Sequence, residues 1–325
     1  MDMPIIGVGT FGSDHISSLE MAQAVKLALE IGYRNIDCAS VYGNEREIGQ
    51  VLAQSGIPRD QLWITSKVWN DSHAYQKVIA SAKQSLKDLR LDYLDLYLVH
   101  WPFPNFHPPM CDVTSRSPDA RPYLHEQFME TWSAMEALAK EGLVRHIGTS
   151  NMTKAKLELL LASASIRPFA NEMELHPLFG QYELLSYVQE QGIRAIGYSP
   201  LGSPNRPERD TTSEDKVDMD HPVVKELASK HNCHPAAICL KWALGNGIVP
   251  IPQSTKERNL RSNFLSVHED PLTREELELL KTIDCNNRLI KGQVFLWEGA
   301  DSYHDLWDED GIIPIPERYR KGGVR

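Results

Sequence analysis

Four side chains suited to proton transfer follow three consecutive apolar segments near the start of the sequence. Asp37 lies at the end of the first segment, and Tyr42 comes five residues later. Lys67 follows the second segment, and His100 follows the third. If these segments are neighbouring strands of a parallel sheet, their carboxyl ends meet at one edge and bring the four side chains together. A phenol, an ammonium, a carboxylate and an imidazole would then share one site.

This combination favours donation of a proton to a carbonyl oxygen. A free tyrosine has a pKa of about 10, and an ammonium within about 4–6 Å lowers that value. We therefore expect Lys67 to make Tyr42 a usable proton donor, and Asp37 to neutralise and position Lys67. His100 is expected to hold the substrate oxygen toward Tyr42. Because the set contains no obvious nucleophile, metal cluster or electron sink, the hydride must come from a cofactor.

Eight short apolar runs, most of them continuously apolar, predict strands that are covered on both faces. They lie at 5–8, 35–38, 62–66, 94–99, 143–148, 169–172, 193–197 and 247–251. Helical patterns lie between them; the first opens with a capping box, Ser17-x-x-Glu20, and its predicted inward stripe begins at Leu19. Alternating strands and helices indicate a parallel α/β sheet, and eight units favour a closed (β/α)8 TIM barrel. An open doubly wound sheet is the main alternative.

Two of the seven stretches from one predicted strand to the next are longer than one strand-helix unit needs. They predict lid loops at about 101–124 and 202–222, after strands four and seven. The tail at about 286–325 carries tryptophans and prolines, and we expect it to cover the barrel mouth or an interface. We expect residues 1–325 to form a single domain.

Composition excludes several classes of function. The 325 residues carry 34 Lys+Arg and 44 Asp+Glu, a net charge of −10, with no basic tract of the kind that binds nucleic acid. No apolar run approaches the roughly 18 residues of a membrane span, so we expect a cytoplasmic protein without a membrane partner. The five cysteines are scattered and form no CxxC pair, which predicts neither a disulfide framework nor a metal site.

Several motifs, in order, resemble those of the aldo-keto reductases, and the resemblance spans about residues 3–296. The matching segments are Gly7-Val-Gly-Thr-Phe11, Asn35-Ile-Asp-Cys-Ala-Ser-Val-Tyr-Gly-Asn-Glu45, Ile64-Thr-Ser-Lys-Val-Trp-Asn70, Leu91-Asp-Tyr-Leu-Asp-Leu-Tyr-Leu-Val-His-Trp-Pro102, Ile147-Gly-Thr-Ser-Asn151 and Ile251-Pro-Gln-Ser254.

The resemblance implies a (β/α)8 barrel with a nicotinamide cofactor bound extended across its mouth. It implies that Tyr42 donates the proton, that Asp37 and Lys67 tune it, and that His100 orients the substrate. The residues it places at the cofactor are Thr10, Phe11, Ser150, Asn151, Glu172, Tyr198, Ser199, Leu201, Ser203, Gln253, Ser254, Thr255, Asn259 and Asn263. Those expected at the substrate are Phe11, Trp69, Trp101 and Trp297.

Two departures from the family pattern concern the cofactor. Glu172 stands where the family usually has glutamine, and we hypothesise that its carboxylate tightens binding of the oxidised cofactor relative to the reduced one. Gln253 and Asn259 replace a usual lysine and arginine that bind the adenosine 2′-phosphate, while Lys256 and Arg258 lie nearby, followed by Arg261. We expect NADP(H) as the favoured cofactor and NAD(H) as the second choice.

The expected function is reversible reduction of small aldehydes, aldoses or ketoses to alcohols, by a monomer or weak homo-oligomer. Polar residues in the first lid loop and the tail favour a hydroxylated substrate of the sugar and polyol type: Asn105, Asp112, Ser115, Arg116 and Asp301. One alternative is a regulatory barrel that binds the cofactor with little turnover. A second, an aldolase or isomerase, would need a Schiff-base lysine in an apolar pocket or a phosphate site after strands seven and eight. A Lys67 paired with Asp37 is poorly suited to be that lysine.

Overall fold

The computed structural model describes residues 2–13, 15–104, 117, 119–204, 206–207 and 211–320. Its eight strands are β1 (Val8–Gly9), β2 (Asn35–Asp37), β3 (Trp63–Val68), β4 (Leu94–Val99), β5 (Val144–Ser150), β6 (Ala170–Glu174), β7 (Arg194–Tyr198) and β8 (Ile248–Pro250).

The strands form one parallel sheet in sequence order, from β1 to β8. Two backbone hydrogen bonds join its ends: the Gly7 N–H donates to the Pro250 carbonyl at 3.0 Å, and the Gly9 N–H donates to the Pro252 carbonyl at 3.1 Å. The predicted barrel is therefore confirmed, and the open doubly wound alternative is wrong.

Most of the helices follow a strand and cover the outside of the sheet, and the last one lies in the tail. They are α1 (Ser18–Ile31), α2 (Glu45–Gln54), α3 (Tyr75–Leu89), α4 (His125–Lys140), α5 (Lys154–Ser163), α6 (Tyr182–Glu190), α7 (Pro222–Lys230), α8 (Pro235–Gly245), α9 (Glu257–Ser266), α10 (Arg274–Lys281) and α11 (His304–Trp307). The sequence patterns did not predict α7, α8 or α11. Both α7 and α8 begin with a His-Pro pair, in which the imidazole accepts a hydrogen bond from the helix backbone and proline occupies the first turn.

The start of α1 confirms one local prediction and corrects another. Ser17 and Glu20 form the expected capping box. Leu19, however, is 73% exposed, so its predicted place in the inward stripe is wrong. At 3.6 residues per turn, Leu19 lies about 90° from the centre of the buried stripe of Ala22, Val25 and Leu29.

Apolar side chains fill both sides of the sheet. The larger cluster packs between strands and helices, and a smaller one, which includes Leu96, Leu98 and Ile196, fills the barrel interior. At the amino-terminal end of the strands the His146 ring stacks on Trp63 and Phe169, with centroid distances of 5.5 and 4.2 Å. These rings close the lower end of the barrel, so the accessible cavity lies at the other end.

The tail packs against the loop that follows β4. Its aromatic residues form a separate cluster with Trp101 and Phe103, which we call the tail cluster: Trp101, Phe103, Ala120, Phe295, Leu296, Trp297, Ala300, Leu306 and Trp307. The tail therefore lies beside the carboxyl ends of the strands, as the sequence predicted. Asn105, Asp112, Ser115 and Arg116 of the first lid loop lie outside the described residues.

Candidate active site

A cleft of about 1130 Å³ opens at the carboxyl ends of the strands. Its walls come from the loops after β1, β2, β4 and β7, from the chain between β8 and α9, and from tail residues 289–295. This is the end of the barrel where the sequence predicted the chemistry, and all of the predicted cofactor residues line it: Thr10, Phe11, Ser150, Asn151, Glu172, Tyr198, Ser199, Leu201, Ser203, Gln253, Ser254, Thr255, Asn259 and Asn263.

Beneath the cleft, Lys67 of β3 is fully buried and lies between two carboxylates. Its Nζ atom donates to Asp37 Oδ1 and, at 3.1 Å, to the backbone carbonyl of Cys38. Glu172 Oε1, which comes from β6 on another side of the barrel, lies 3.3 Å from the same Nζ atom. The expected Asp37–Lys67 pair is therefore part of a buried three-membered cluster.

Burial and charge act in opposite directions within this cluster. Burial alone would lower the pKa of Lys67, but Asp37 and Glu172 outweigh it and raise that pKa well above the ordinary value. Burial, followed by the charge of Asp37, raises the pKa of Glu172 well above its ordinary value, and Lys67 only partly opposes the shift. Glu172 is thus biased toward its neutral form, which differs from the free carboxylate that the sequence hypothesis assumed.

Tyr42 ends a short 3-10 turn, Ser40–Tyr42, that follows β2. Its ring centroid lies 5.2 Å from that of Phe11 and 5.8 Å from that of His100, and Lys67 Nζ lies 5.5 Å from it. Burial raises the pKa of Tyr42, whereas Lys67 lowers it in part. The sequence predicted a net lowering; that prediction is wrong because desolvation outweighs the effect of the ammonium, which is paired with Asp37.

His100 lies against Tyr42 and Trp69 with its imidazole neutral. Burial, followed by the positive charge of Lys67, lowers the pKa of His100 well below its ordinary value. Its Nδ1 atom has no hydrogen-bond partner among the described residues. Trp69 meets the imidazole edge-on at a centroid distance of 5.0 Å. A neutral imidazole in this position can donate one N–H to a substrate oxygen without changing its own charge.

Asn151 connects the polar residues of the cleft. It has a positive φ of 57° at the end of β5, a conformation that asparagine tolerates well. Its Nδ2 atom donates to the His100 carbonyl at 2.9 Å, and the Tyr198 hydroxyl donates to its Oδ1 atom at 2.7 Å. These two hydrogen bonds connect the end of β4 with β7 through Asn151.

Three of the four aromatic residues predicted at the substrate line the cleft. Phe11 is 45% exposed at its rim, and Trp69 and Trp101 form part of its wall. Trp297 does not line it: only 2% of its surface is exposed, and it packs within the tail cluster. The prediction for Trp297 is wrong because the sequence could not show which tail aromatic turns toward the mouth; Phe295 occupies that place.

Several cleft residues were missed as site residues. Lys256 and Arg258 line the cleft beside the start of α9, and His234, Arg206 and tail residues 289–295 also line it. In the sequence, the only signal for any of these residues was the positive charge of Lys256 and Arg258 near Gln253 and Asn259. Arg261 instead pairs with Glu257 at 2.8 Å on the exposed face of α9.

Unpaired polar atoms at the cleft indicate that it is shaped for a polar ligand. His100 Nδ1, Glu172 Oε2 and Gln253 Nε2 are buried and have no hydrogen-bond partner among the described residues. Buried polar groups without partners are costly, so such atoms at a cavity wall fit a ligand that completes their hydrogen bonds. Among the residues that the structure describes, no group of three His, Cys, Asp or Glu side chains could hold a metal ion. No helix in that part of the chain is long and apolar enough to cross a membrane.

The barrel and the cleft at its strand ends, where a tyrosine, a lysine, an aspartate and a histidine come together, define a class of protein, the (β/α)8 barrel oxidoreductases. Comparisons with known proteins agree. The model of the aldo/keto reductase family matches residues 5–284. An aldo/keto reductase of Synechocystis sp. is 37% identical over 312 residues, which is 94% of each chain. Aldo-keto reductase family 1 member A1 of Sus scrofa is 38% identical over 89% of this chain and 88% of its own.

Two solved structures are also similar. The aldose reductase from Schistosoma japonicum superimposes with a TM-score of 0.79 at 34% identity, covering 93% of this chain and 95% of that one. An aldo-keto reductase of Bombyx mori, solved in complex with NADP, gives a TM-score of 0.78 at 34% identity over 89% and 91%. The chain belongs to the aldo/keto reductase family, and the predicted family and enzyme class are confirmed.

Proposed function

We propose that this chain reduces the carbonyl group of small aldehydes, aldoses or ketoses with NADP(H), and that Tyr42 donates the proton. The observation that carries the proposal is the arrangement at the cleft floor. Tyr42 and His100 lie side by side there, above the Lys67 ammonium, with ring centroids 5.8 Å apart. Reduction adds a hydride to the carbonyl carbon and a proton to its oxygen.

The residues of the cleft divide this task between them. The bound nicotinamide supplies the hydride. The neutral His100 holds the carbonyl oxygen by an N–H donor, beside the Tyr42 hydroxyl. Tyr42 then gives its proton to that oxygen, and Lys67 stabilises the negative charge that develops on the phenol.

Positive charge at the far end of the cleft supports NADP(H) over NAD(H). Lys256 and Arg258 line the cleft where α9 begins, and the free N–H groups at a helix start attract an anion. Both side chains are exposed and can reach toward a 2′-phosphate, although Gln253 and Asn259 occupy the places where the family usually has its cations. The relative from Bombyx mori was solved with NADP, which agrees with this choice.

Four expectations stay predictions: the substrate class, a cytoplasmic location, the single domain over 1–325, and a monomeric or weakly associated state.

The cleft wall supports the proposed substrate class. The aromatic wall formed by Phe11, Trp69 and Trp101 beside a polar floor suits a small molecule with a carbonyl and hydroxyl groups.

The test is a screen of aldehydes, aldoses, ketoses and polyols with NADPH and NADH, run in parallel with the variant Tyr42→Phe. We expect aldehyde-dependent oxidation of NADPH, and a loss of turnover of roughly 10²-fold or more in Tyr42→Phe with nearly unchanged NADPH affinity. Tight binding of NADPH without reduction of any carbonyl would instead support the regulatory barrel. Equal turnover in Tyr42→Phe would remove Tyr42 from the proposed role.

A further inference from the structure

Glu172 gives the buried cluster one carboxyl group more than its ammonium can neutralise. Asp37 and Glu172 both face Lys67, and the side chains of all three are at most 4% exposed. Two carboxylates and one ammonium would leave a net negative charge in a buried site. A buried net charge is costly, and a like-charged carboxylate pair normally avoids it by retaining a proton.

The position of Glu172 brings this extra proton to the nicotinamide end of the cleft. On β6, Glu172 pairs in register with Ser150 of β5 and Ile196 of β7, and its carbonyl accepts the Asn151 N–H at 2.8 Å. The resemblance to the aldo-keto reductases implies that Ser150 and Asn151 bind the nicotinamide carboxamide. One oxygen of Glu172 faces Lys67, whereas the other is buried at the cleft wall without a partner among the described residues.

We propose that Glu172 retains a proton in the free protein and with NADPH, and releases it to solvent when NADP⁺ binds, so that affinity for the oxidised cofactor is coupled to pH. The inference rests on the proposed function. A neutral carboxyl group presents one acceptor and one donor, as a glutamine amide does. The ring of NADP⁺ carries a positive charge that the ring of NADPH lacks, and a positive charge beside a carboxyl group favours its ionised form.

The other titratable groups around Glu172 are less suited to release this proton. Tyr42 faces it from the turn after β2 and Tyr198 faces it from β7; burial raises the pKa of both phenols. Lys67 is held charged by the acidic groups beside it, and His100, directly after β4, is already neutral. Asp37 is the second carboxyl group at Lys67, and Glu172→Gln leaves it as the only one of the pair.

The coupling has a defined sign. At pH values where free Glu172 is protonated, binding of NADP⁺ must expel the proton, so its Kd falls by up to about tenfold for each unit that the pH rises. Above the pKa of free Glu172 the Kd becomes constant. NADPH carries the same phosphates, so any titration of phosphate or of surface histidines affects both nucleotides and cancels in the ratio of their Kd values.

The experiment measures binding rather than activity. Kd values for NADP⁺ and NADPH are determined by titration calorimetry at pH values from about 5.5 to about 9, in buffers of different ionisation enthalpy that report the protons released. Native protein should release up to about one proton more with NADP⁺ than with NADPH. In Glu172→Gln the two nucleotides should release equal numbers, and the ratio of their Kd values should no longer depend on pH.

The matched control is Glu45→Gln. Glu45 is also a buried carboxyl group with a pKa raised by burial, but it is bonded to Ser66 and Ser85 and does not line the cleft. Like native protein, Glu45→Gln should release more protons with NADP⁺ than with NADPH, and the ratio of its two Kd values should depend on pH. Equal proton release by native protein and Glu172→Gln would overturn the inference and leave the proposed function intact, whereas failure of both nucleotides to bind the native protein would overturn both.

Discussion

At the scale of single residues, Tyr42 must satisfy two opposite demands. It must hold its proton until the substrate is in place, and it must then release that proton as the carbonyl oxygen becomes negative. Burial meets the first demand by raising the pKa of the phenol, and Lys67 meets the second by lowering the cost of the phenolate. Because the charge of Lys67 is paired with that of Asp37, burial has the larger effect on the pKa of Tyr42.

His100 should contribute to catalysis through one N–H donor rather than through charge. His100→Phe keeps a ring against Tyr42 and Trp69 but removes the donor. Loss of a donor to a developing oxyanion commonly costs about 10²–10³ in rate, so we expect a comparable fall in kcat/KM for the carbonyl with unchanged Kd for NADPH. The matched control is His146→Phe, which replaces the ring stacked on Trp63 at the opposite end of the barrel and should retain activity. Native rates in His100→Phe would refute the role.

The residues of the site could be predicted from the sequence to the extent that strand ends locate them. Asp37, Lys67 and His100 follow apolar strands directly, so their convergence required only the parallel order. The contact between Glu172 and Lys67 could not be predicted in this way, because it joins β3 and β6 across the interior and depends on how the barrel closes. The pKa of Tyr42 was mispredicted for a related reason, since a motif shows its neighbours in sequence but not how deeply they are buried.

At the scale of elements, α9 should determine which nicotinamide cofactor binds. Lys256 lies at its start and Arg258 in its first turn, and both line the cleft. We expect the double variant Lys256→Ala, Arg258→Ala to raise the Kd for NADPH by roughly tenfold or more, because hydrogen bonds to charged groups contribute about 1.5–3 kcal/mol. The Kd for NADH, which lacks the 2′-phosphate, should stay nearly constant.

Arg261→Ala provides the control for this pair. It removes a cation from the same helix, but one that is paired with Glu257 outside the cleft. Its effects on the two nucleotides should be equally small. An equal loss of NADPH and NADH affinity in the double variant would show that the two cations act on the cleft in general and not on the 2′-phosphate.

The tail is held to the barrel by a buried ion pair. Asp308 accepts hydrogen bonds from Lys156 Nζ and Thr153 Oγ1, both belonging to the start of α5, and Lys156 also donates to the Leu306 carbonyl at 2.9 Å. Lys156 is buried, and burial lowers its pKa against the opposing charge of Asp308. Breaking such a pair leaves an uncompensated charge, which typically costs about 3–5 kcal/mol.

Asp308→Ala should therefore loosen the tail. We expect a lower free energy of unfolding by urea and faster hydrogen exchange in residues 289–308, since these residues depend on the anchor. Glu298→Ala, which breaks an exposed ion pair with Arg318 in the same tail, should change neither quantity appreciably. If both variants behaved alike, Lys156 and Asp308 would not anchor the tail.

At the scale of the whole molecule, one buried histidine links the barrel, the loop after β7 and the tail. His176 Nε2 lies 3.1 Å from Glu174 at the end of β6, and its Nδ1 lies 2.9 Å from Asp218. Glu174 also accepts the backbone N–H groups of Leu289 and Ile290 in the tail, at 2.7 and 3.0 Å. The three segments that enclose the cleft thus meet at a cluster that is held together by a protonated imidazole.

This cluster should make stability fall at alkaline pH. Burial alone would lower the pKa of His176, but Asp218 and Glu174 outweigh it and raise that pKa from 6.5 to about 9. The folded protein therefore holds this proton more tightly than the unfolded chain does, so the stabilisation is fully present below about pH 6.5 and is lost as the pH rises toward about 9. At most, this linkage contributes roughly 3 kcal/mol.

Unfolding by urea at pH values between about 6 and 9.5, a range that spans both pKa values, tests this linkage. The free energy of unfolding of native protein should fall progressively over that range. The fall should be steepest at the pH values at which the tail and the loop after β7 begin to separate from the barrel. His176→Gln should be less stable than native protein at the acidic end, because the two carboxylates then lose the cation that lies between them, and its stability should depend much less on pH. Parallel pH dependences in the two proteins would mean that another group is responsible, and that His176 is neutral when the protein is folded.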